Sequence, residues 1–319
     1  MGLMNGPAYG NRKLVSAHLP AGVAHASALG LRVHAIFRFL DRIARFGYIL
    51  IQAFAQSPAY TGEKRHIQSW QTRGMSMAML TPSAGDGYGY NLAESDRIFT
   101  SAMTGLYGWT AIGLGVAGGV AWLLSQAGIF LFSSLLGMIL GLVLAIGCLF
   151  GMQFAARKGA PLAVVGALYL GFTALMGATL SYVFAIYSSA SIAQAFAGAC
   201  GLFALMSVFG FSTKRDLSKI GTLAIIALIG MIVVGLINSF LFRSTGLQLL
   251  LSVITLPIFM GLTAWETQAL KQEAQVAAAE GNAAAASRIA LIGAAGMFLN
   301  IVNMFLALLH IFGFFGGDD

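Results

Sequence analysis

Two ionisable side chains of this 319-residue chain stand inside long apolar stretches, Glu266 and His310. Such groups are costly in hydrocarbon and are candidates by default for ion passage or proton exchange. Glu266 closes one stretch in Ala264-Trp265-Glu266-Thr267-Gln268, and His310 lies near the end of the last. Neutral amides accompany them. Asn300 and Asn303 are three residues apart and so share a helical face, and Asn238 sits late in an earlier stretch. Hard cations take oxygen ligands. Brought together, Glu266, the amide oxygens of Asn300 and Asn303, and helix-end carbonyls could supply a weak, transient cation site. Glu266 has two open readings, a solvated carboxylate at a helix end or an inward-facing acid held out of water. His310 reads more simply as an interfacial, solvated histidine, and the two asparagines equally as interhelical hydrogen-bonding groups. Covalent chemistry is not indicated. There is no Gly-x-Ser-x-Gly, no His-Glu-x-x-His, and no second acid near Glu266 in sequence. Cys148 and Cys200 lie in apolar runs without a Cys-x-x-Cys neighbour and read as small buried hydrophobes. Neither an enzyme nor a bound cofactor is expected.

The elements that must position these residues follow from composition. Hydrophobic residues make up 58% of the chain and charged residues 9%, against about 25% charged in soluble domains. Soluble, disordered and collagen-like classes are excluded, and an all-α integral membrane protein remains. A helix needs about 20 mostly apolar residues to cross the hydrocarbon. Seven such stretches occur, roughly 103–124, 131–154, 161–185, 191–211, 220–241, 247–267 and 289–313. Lipid offers the backbone no partner, so they must be helical. The alanine-rich segment Gln268–Arg288 predicts a helical extension of the sixth span, then a turn near Gly281–Asn282. Gly137/Gly141 and Gly147/Gly151 form GxxxG pairs that predict close helix packing in the second span. Gly113, Gly115 and Gly118 match a dinucleotide fingerprint, but within a membrane helix they predict packing.

The net charge of +7 is unevenly placed. Residues 1–74 hold nine basic residues against two acidic ones, while residues 75–319 hold nine of each. The excess is therefore no sign of nucleic acid. In the body, Arg97, Arg157, Lys158, Lys214, Arg215, Lys219, Lys271 and Arg288 fall on one side and Arg243 on the other. That asymmetry predicts a cytosolic N-terminus and an outside C-terminus. Residues 1–96 form a basic tail ahead of the body. Arg38, Arg42 and Arg45 share a helical face, as in an amphipathic helix lying on an anionic leaflet. Two other readings stay open, an organellar targeting segment and a true start at Met75, Met77 or Met79.

Four motifs, in order, resemble one family. The loop Gly210-Phe211-Ser212-Thr213-Lys214-Arg215-Asp216-Leu217-Ser218-Lys219 resembles the connection between the fourth and fifth spans of the Bax inhibitor-1 (transmembrane BAX inhibitor motif, or lifeguard) family, including its bacterial YccA-type branch. Asn238 matches a recurrent fifth-span asparagine. Ala264-Trp265-Glu266-Thr267-Gln268 is similar to the sixth-span ending, usually Tyr-Asp-Thr-Gln, and Leu299-Asn300-Ile301-Val302-Asn303-Met304-Phe305 to the seventh-span signature. The resemblance covers roughly residues 97–315. It implies a bundle with the seventh helix central, a bacterial inner (plasma) membrane, and the activity of a passive, pH-influenced calcium leak channel, calcium being the permeant ion. The organellar alternative stays with the tail. In such relatives two aspartates of the sixth and seventh spans share a proton and gate the pore. By motif they fall on Glu266 and Asn300, so one carboxylate is kept as Glu and the other is an amide. Residues 131–154 also lack the family's basic partner, since they contain no Arg or Lys. The alternative implied is a non-transporting regulator of a membrane-bound AAA protease, or of a stress or cell-death pathway. Its contact would be the tail or the loop carrying Lys214, Arg215 and Asp216. The other expected partner is the lipid bilayer.

Overall fold

The computed structural model describes residues 92–130, 132 and 135–316. The expectations about the basic tail and the start at Met75, Met77 or Met79 fall outside these residues. Seven long helices follow one another: α1 (Leu92–Gln126), α2 (Leu135–Arg157), α3 (Leu162–Leu180, continued by a single turn at Val183–Ile186), α4 (Ser189–Ser212), α5 (Ser218–Ile237), α6 (Thr245–Ala279) and α7 (Ala283–Gly316). Among the described residues there is no strand. Among the described residues six helices are long and apolar enough to cross a membrane, and α2 contributes a shorter apolar helix at Val143–Arg157. The fold is the seven-helix membrane bundle expected from the sequence.

Length carries several helices past the hydrocarbon. α1 and α6 have 35 residues each, about 52 Å at 1.5 Å per residue, against about 30 Å of lipid core. The alanine-rich segment after Gln268 is the expected extension of α6, ending at Ala279. Gly281 then adopts a left-handed φ of 67°, and the Asn282 side chain accepts from the Ala285 amide at 3.0 Å to start α7. The fifth span ends in a single π turn, Asn238–Phe242.

α7 is the axis. Its apolar window is 83% buried, where the other five long windows are 17–50% buried. It lies against α6, α1, α4, α3 and α2, while α5 packs on the outside of α6. The α5 side chains Leu223, Ile226 and Val233 are exposed, as a lipid-facing surface requires. Tyr169, Phe172, Phe259 and Phe298 are fully buried; Phe172 of α3 meets Phe298 of α7 edge-on at 5.6 Å.

The closest helix approaches are not where the glycine pairs place them. Gly141 faces the Phe132 ring, Gly147 has nothing within 4 Å of a built Cβ, and Gly151 meets Leu168 at an ordinary 3.7 Å. A small-residue stripe brings backbones together only against another small face, and α3 presents leucine there. Gly115 and Gly118 also face open space, while Gly113 sits against the Tyr169 ring. The backbone contacts occur instead at Gly177 of α3 against Ala117 of α1, and at Gly210 of α4 against Ala264 of α6, where a Cβ would strike a carbonyl oxygen.

The basic connections gather at one end. Arg288 Nη2 of α7 donates to the Gly159 and Ala160 carbonyls of the α2–α3 turn at 3.3 and 3.4 Å. Gln268 Nε2 of α6 donates to the Arg215 carbonyl of the α4–α5 loop at 2.8 Å.

Candidate functional site

Glu266 is buried between α6 and α7, not solvated at a helix end; only 8% of it is exposed. Its Oε2 accepts from Asn300 Nδ2 at 2.7 Å. One turn earlier on α7, Gly296 makes the room. A Cβ at that position would run into Glu266 Oε1, so glycine is what lets the carboxylate lie flat on the central helix. Gly296 and Asn300 are four apart, hence stacked on one face. The spacing Gly-x-x-x-Asn was visible in the sequence, but nothing there says that Gly296 makes the room for the carboxylate that the motifs pair with Asn300.

Asn303 is fully buried on the same helix and donates from Nδ2 to the Leu299 carbonyl at 2.8 Å. The amide oxygens of Asn300 and Asn303 are both buried without a hydrogen-bond partner. Buried acceptors are nearly always paired, so two on one face of the axial helix mark an unusual spot. Interhelical bonding accounts for the Asn300 nitrogen; it leaves both oxygens unexplained. Among the described residues no group of three or more His, Cys, Asp or Glu side chains comes together. The cluster offers one carboxylate and two amide oxygens, a hard and sparse oxygen set.

One residue on, Thr267 donates to Ser207 Oγ of α4 at 3.4 Å, and the Tyr107 hydroxyl of α1 bonds both. These hydroxyls join α1, α4 and α6 beside Glu266; Thr267 was visible as part of the Glu-Thr-Gln motif, whereas Tyr107 and Ser207 were passed over because each sits singly in an apolar run. Gln268 completes the Glu-Thr-Gln motif by clamping the α4–α5 loop. Its Oε1 accepts from the Leu217 amide at 2.9 Å while its Nε2 donates to the Arg215 carbonyl. Lys214, Arg215 and Asp216 are exposed. Asp216 Oδ1 accepts from the Ser218 amide and hydroxyl at 2.9 and 2.6 Å, just ahead of α5. Lys271 donates to the Phe211 carbonyl at 2.8 Å and lies 4.3 Å from the Phe211 ring centre.

Two candidates stand apart. Asn238 is buried, and its amide is used on both sides by Ser244, accepting from the Ser244 amide at 3.0 Å and donating to its carbonyl at 3.1 Å. Ser244 precedes α6, and Glu266 lies 22 residues further on, about 33 Å by helical rise. Asn238 thus holds the α5–α6 connection. His310 is not the solvated histidine expected. It is 9% exposed, facing Gln248 and Ser252 of α6.

The comparisons cover the helical body. A family described as "Inhibitor of apoptosis-promoting Bax1" matches residues 100–317. The chain is similar to "Inner membrane protein YbhL" of Escherichia coli K12, with 35% identity over 214 residues, 66% of this chain and 90% of that protein. It is 39% identical over 211 residues to an uncharacterized protein of Deinococcus radiodurans, 66% of this chain and 88% of the relative. A further uncharacterized relative, from Borreliella burgdorferi, is 32% identical over 211 residues, 65% of this chain and 89% of its own length. These matches cover two thirds of the chain and place it: it is an integral membrane protein of the Bax inhibitor-1 family.

Proposed function

We propose that the protein is a passive cation leak, calcium by preference, of a bacterial inner membrane, with Glu266 and Asn300 as the contact that closes it. The observation that carries this reading is the buried Glu266–Asn300 hydrogen bond, flanked by the two unpartnered amide oxygens of Asn300 and Asn303. The hydrogen bond ties α6 to the axial helix. Parting it frees a carboxylate and presents it with two amide oxygens on the same seam. Such a set suits a cation in passage: it replaces part of a hydration shell, and one carboxylate holds the ion too weakly to trap it. A glutamate opposite an amide lacks the like-charge repulsion of a two-carboxylate pair, so any pH influence on the contact acts through Glu266 alone. An inner-membrane location is supported by the relative named for it.

The test is calcium flux into proteoliposomes, native against Glu266→Gln. An altered flux in the variant is expected. Equal flux in both ends the role of Glu266, and no flux in either ends the leak reading.

A second reading has its own observation. The α4–α5 loop exposes Lys214, Arg215 and Asp216 while Gln268 holds its backbone in place. That is the form of a presented docking loop for a membrane-bound AAA protease. Co-purification of such a protease with the native chain, lost on replacing residues 213–217, is the outcome that reading requires.

A further inference from the structure

At the far end of the α6–α7 contact from Glu266, three polar side chains are sealed between the same two helices. Gln248 and Ser252 stand one turn apart at the start of α6, and His310 faces them from α7. Gln248 and His310 are each 9% exposed and Ser252 1%. His310 Nε2 lies 3.1 Å from Gln248 Nε2, and His310 Nδ1 lies 3.3 Å from Ser252 Oγ. The Ser252 hydroxyl donates to the Gln248 main-chain carbonyl at 3.1 Å. Gln248 Oε1 is buried with no partner.

A neutral imidazole has one N–H and one acceptor nitrogen. With the Gln248 amide nitrogen donating to Nε2, the ring proton is on Nδ1 and goes to Ser252 Oγ. The Ser252 proton is already committed to the carbonyl, and Gln248 Oε1 is stranded. Rotation of the amide about its last torsion puts Oε1 where Nε2 of Gln248 stood, within reach of a proton on His310 Nε2. Both ring nitrogens then carry protons, and each has an acceptor, Gln248 Oε1 and Ser252 Oγ. That is the arrangement of an imidazolium, held by charge-assisted bonds.

Among the described residues, the adjoining elements bring these titratable and charged groups to this end of the bundle. α3 and its continuation bring Tyr182 and Tyr187, the latter against Gly313 one turn beyond His310. The turn before α6 brings the exposed Arg243. The adjoining ends of α1, α2 and α4 bring no charged residue, and Asp318 and Asp319 follow α7 outside the described residues.

We propose that Gln248, Ser252 and His310 form a proton-binding site at this end of the α6–α7 contact, in which His310 takes up a proton and the Gln248 amide turns round to receive it. The site stands on its own hydrogen bonds and does not depend on the leak reading. It lies across Pro257 of α6 from the Glu266–Asn300 contact. Between the two contacts α6 runs 18 residues and α7 ten, about 27 Å against about 15 Å of helical rise. The two helices therefore do not run straight side by side.

The experiment is NMR of the full chain in lipid nanodiscs, with nitrogen-15 in histidine rings and glutamine side chains, from pH 5 to 8.5. His310 is assigned by its loss in His310→Asn. Expected are a change of the ring from one N–H to two, and a Gln248 side-chain signal that moves with the same midpoint. Gln248→Leu removes the acceptor of the cation, so about tenfold more protons are needed for the same charged fraction. Gln248→Glu supplies a better acceptor, so about tenfold fewer suffice; it serves also if the leucine variant does not fold. A ring with a single N–H throughout overturns the proposal. So does a Gln248 signal that stays still while His310 titrates, or a midpoint that neither variant moves.

Discussion

The room made by Gly296 can be measured. Gly296→Ala adds one methyl group to the axial helix, and that carbon would run into Glu266 Oε1, with Cδ at 2.9 Å and Oε2 at 3.3 Å. The backbone has no freedom to yield, because Met297, Phe298 and Leu299 are buried around it. The Glu266 side chain must turn away and give up the Asn300 hydrogen bond. Overpacking costs about 1–3 kcal/mol, and leaving the buried pair unmade about 1–3 kcal/mol more. The better helix propensity of alanine offsets about 1 kcal/mol. The net is about 3 kcal/mol, which corresponds to a melting temperature about 6–12 °C lower for a body of this size. The assay is thermal unfolding in detergent, with two controls. Gly108→Ala on α1 meets nothing within 4 Å and should leave melting unchanged or raise it slightly. Gly296→Ala introduced into Glu266→Ala should cost little, because the clashing oxygen is gone, so the two substitutions should be strongly non-additive. An equal loss in both backgrounds would refute the contact between Gly296 and Glu266. A native melting temperature in the single variant would refute the close approach itself.

Three other outcomes follow from the same geometry. Gln268→Leu removes the acceptor and the donor that hold residues 213–217, so trypsin should cut after Lys214 or Arg215 about ten- to a hundredfold faster, as two lost hydrogen bonds imply. Asn238→Ala unties Ser244 and should destabilise the bundle by about 1–3 kcal/mol while calcium flux through the folded fraction stays at the native level, since Asn238 lies far from Glu266. A reporter enzyme fused after Asp319 should be active outside the cytosol, as the sorting of Lys and Arg among the connections requires.

The bundle was legible in the sequence because lipid imposes a length and a polarity that soluble folds do not. Each span is an apolar run of about 20 residues, and the turn at Gly281–Asn282 is marked by residues that suit it. Glu266 and Asn300 were legible as a pair through their motifs, and the hydrogen bond between them follows from helix register once α6 and α7 touch. What was not legible depends on which faces meet. A GxxxG pair states that a backbone can be approached, but no neighbouring backbone meets Gly147 or Gly151 of α2, whereas Gly177 and Gly210 meet other helices' backbones outside any GxxxG pair. His310 looked solvated because a position near a span end is usually wet; Gln248 and Ser252, more than 50 residues earlier, are what seal it. Likewise Asn238 drew attention by resemblance but serves a loop, a role that appears only when Ser244 is seen to fold back on it.

The unpartnered oxygens of Asn300 and Asn303 bear on why α7 is built as it is. Helices in lipid gain little from burying apolar side chains against one another, since the lipid tails are equally apolar; packing and interhelical hydrogen bonds hold them. α7 is wrapped by protein, so leucine at 300 or 303 would pack there without stranding a carbonyl. Each stranded acceptor costs about 1–3 kcal/mol, and Asn303 answers to no other helix through its nitrogen, which bonds its own backbone at Leu299. Stability therefore explains Gly296 and the Asn300 nitrogen, which seat Glu266, but it does not explain the two oxygens. A transient ligand that takes oxygens would, and it would need them where they are: buried, on one face of the central helix, beside the carboxylate that Asn300 holds by a hydrogen bond.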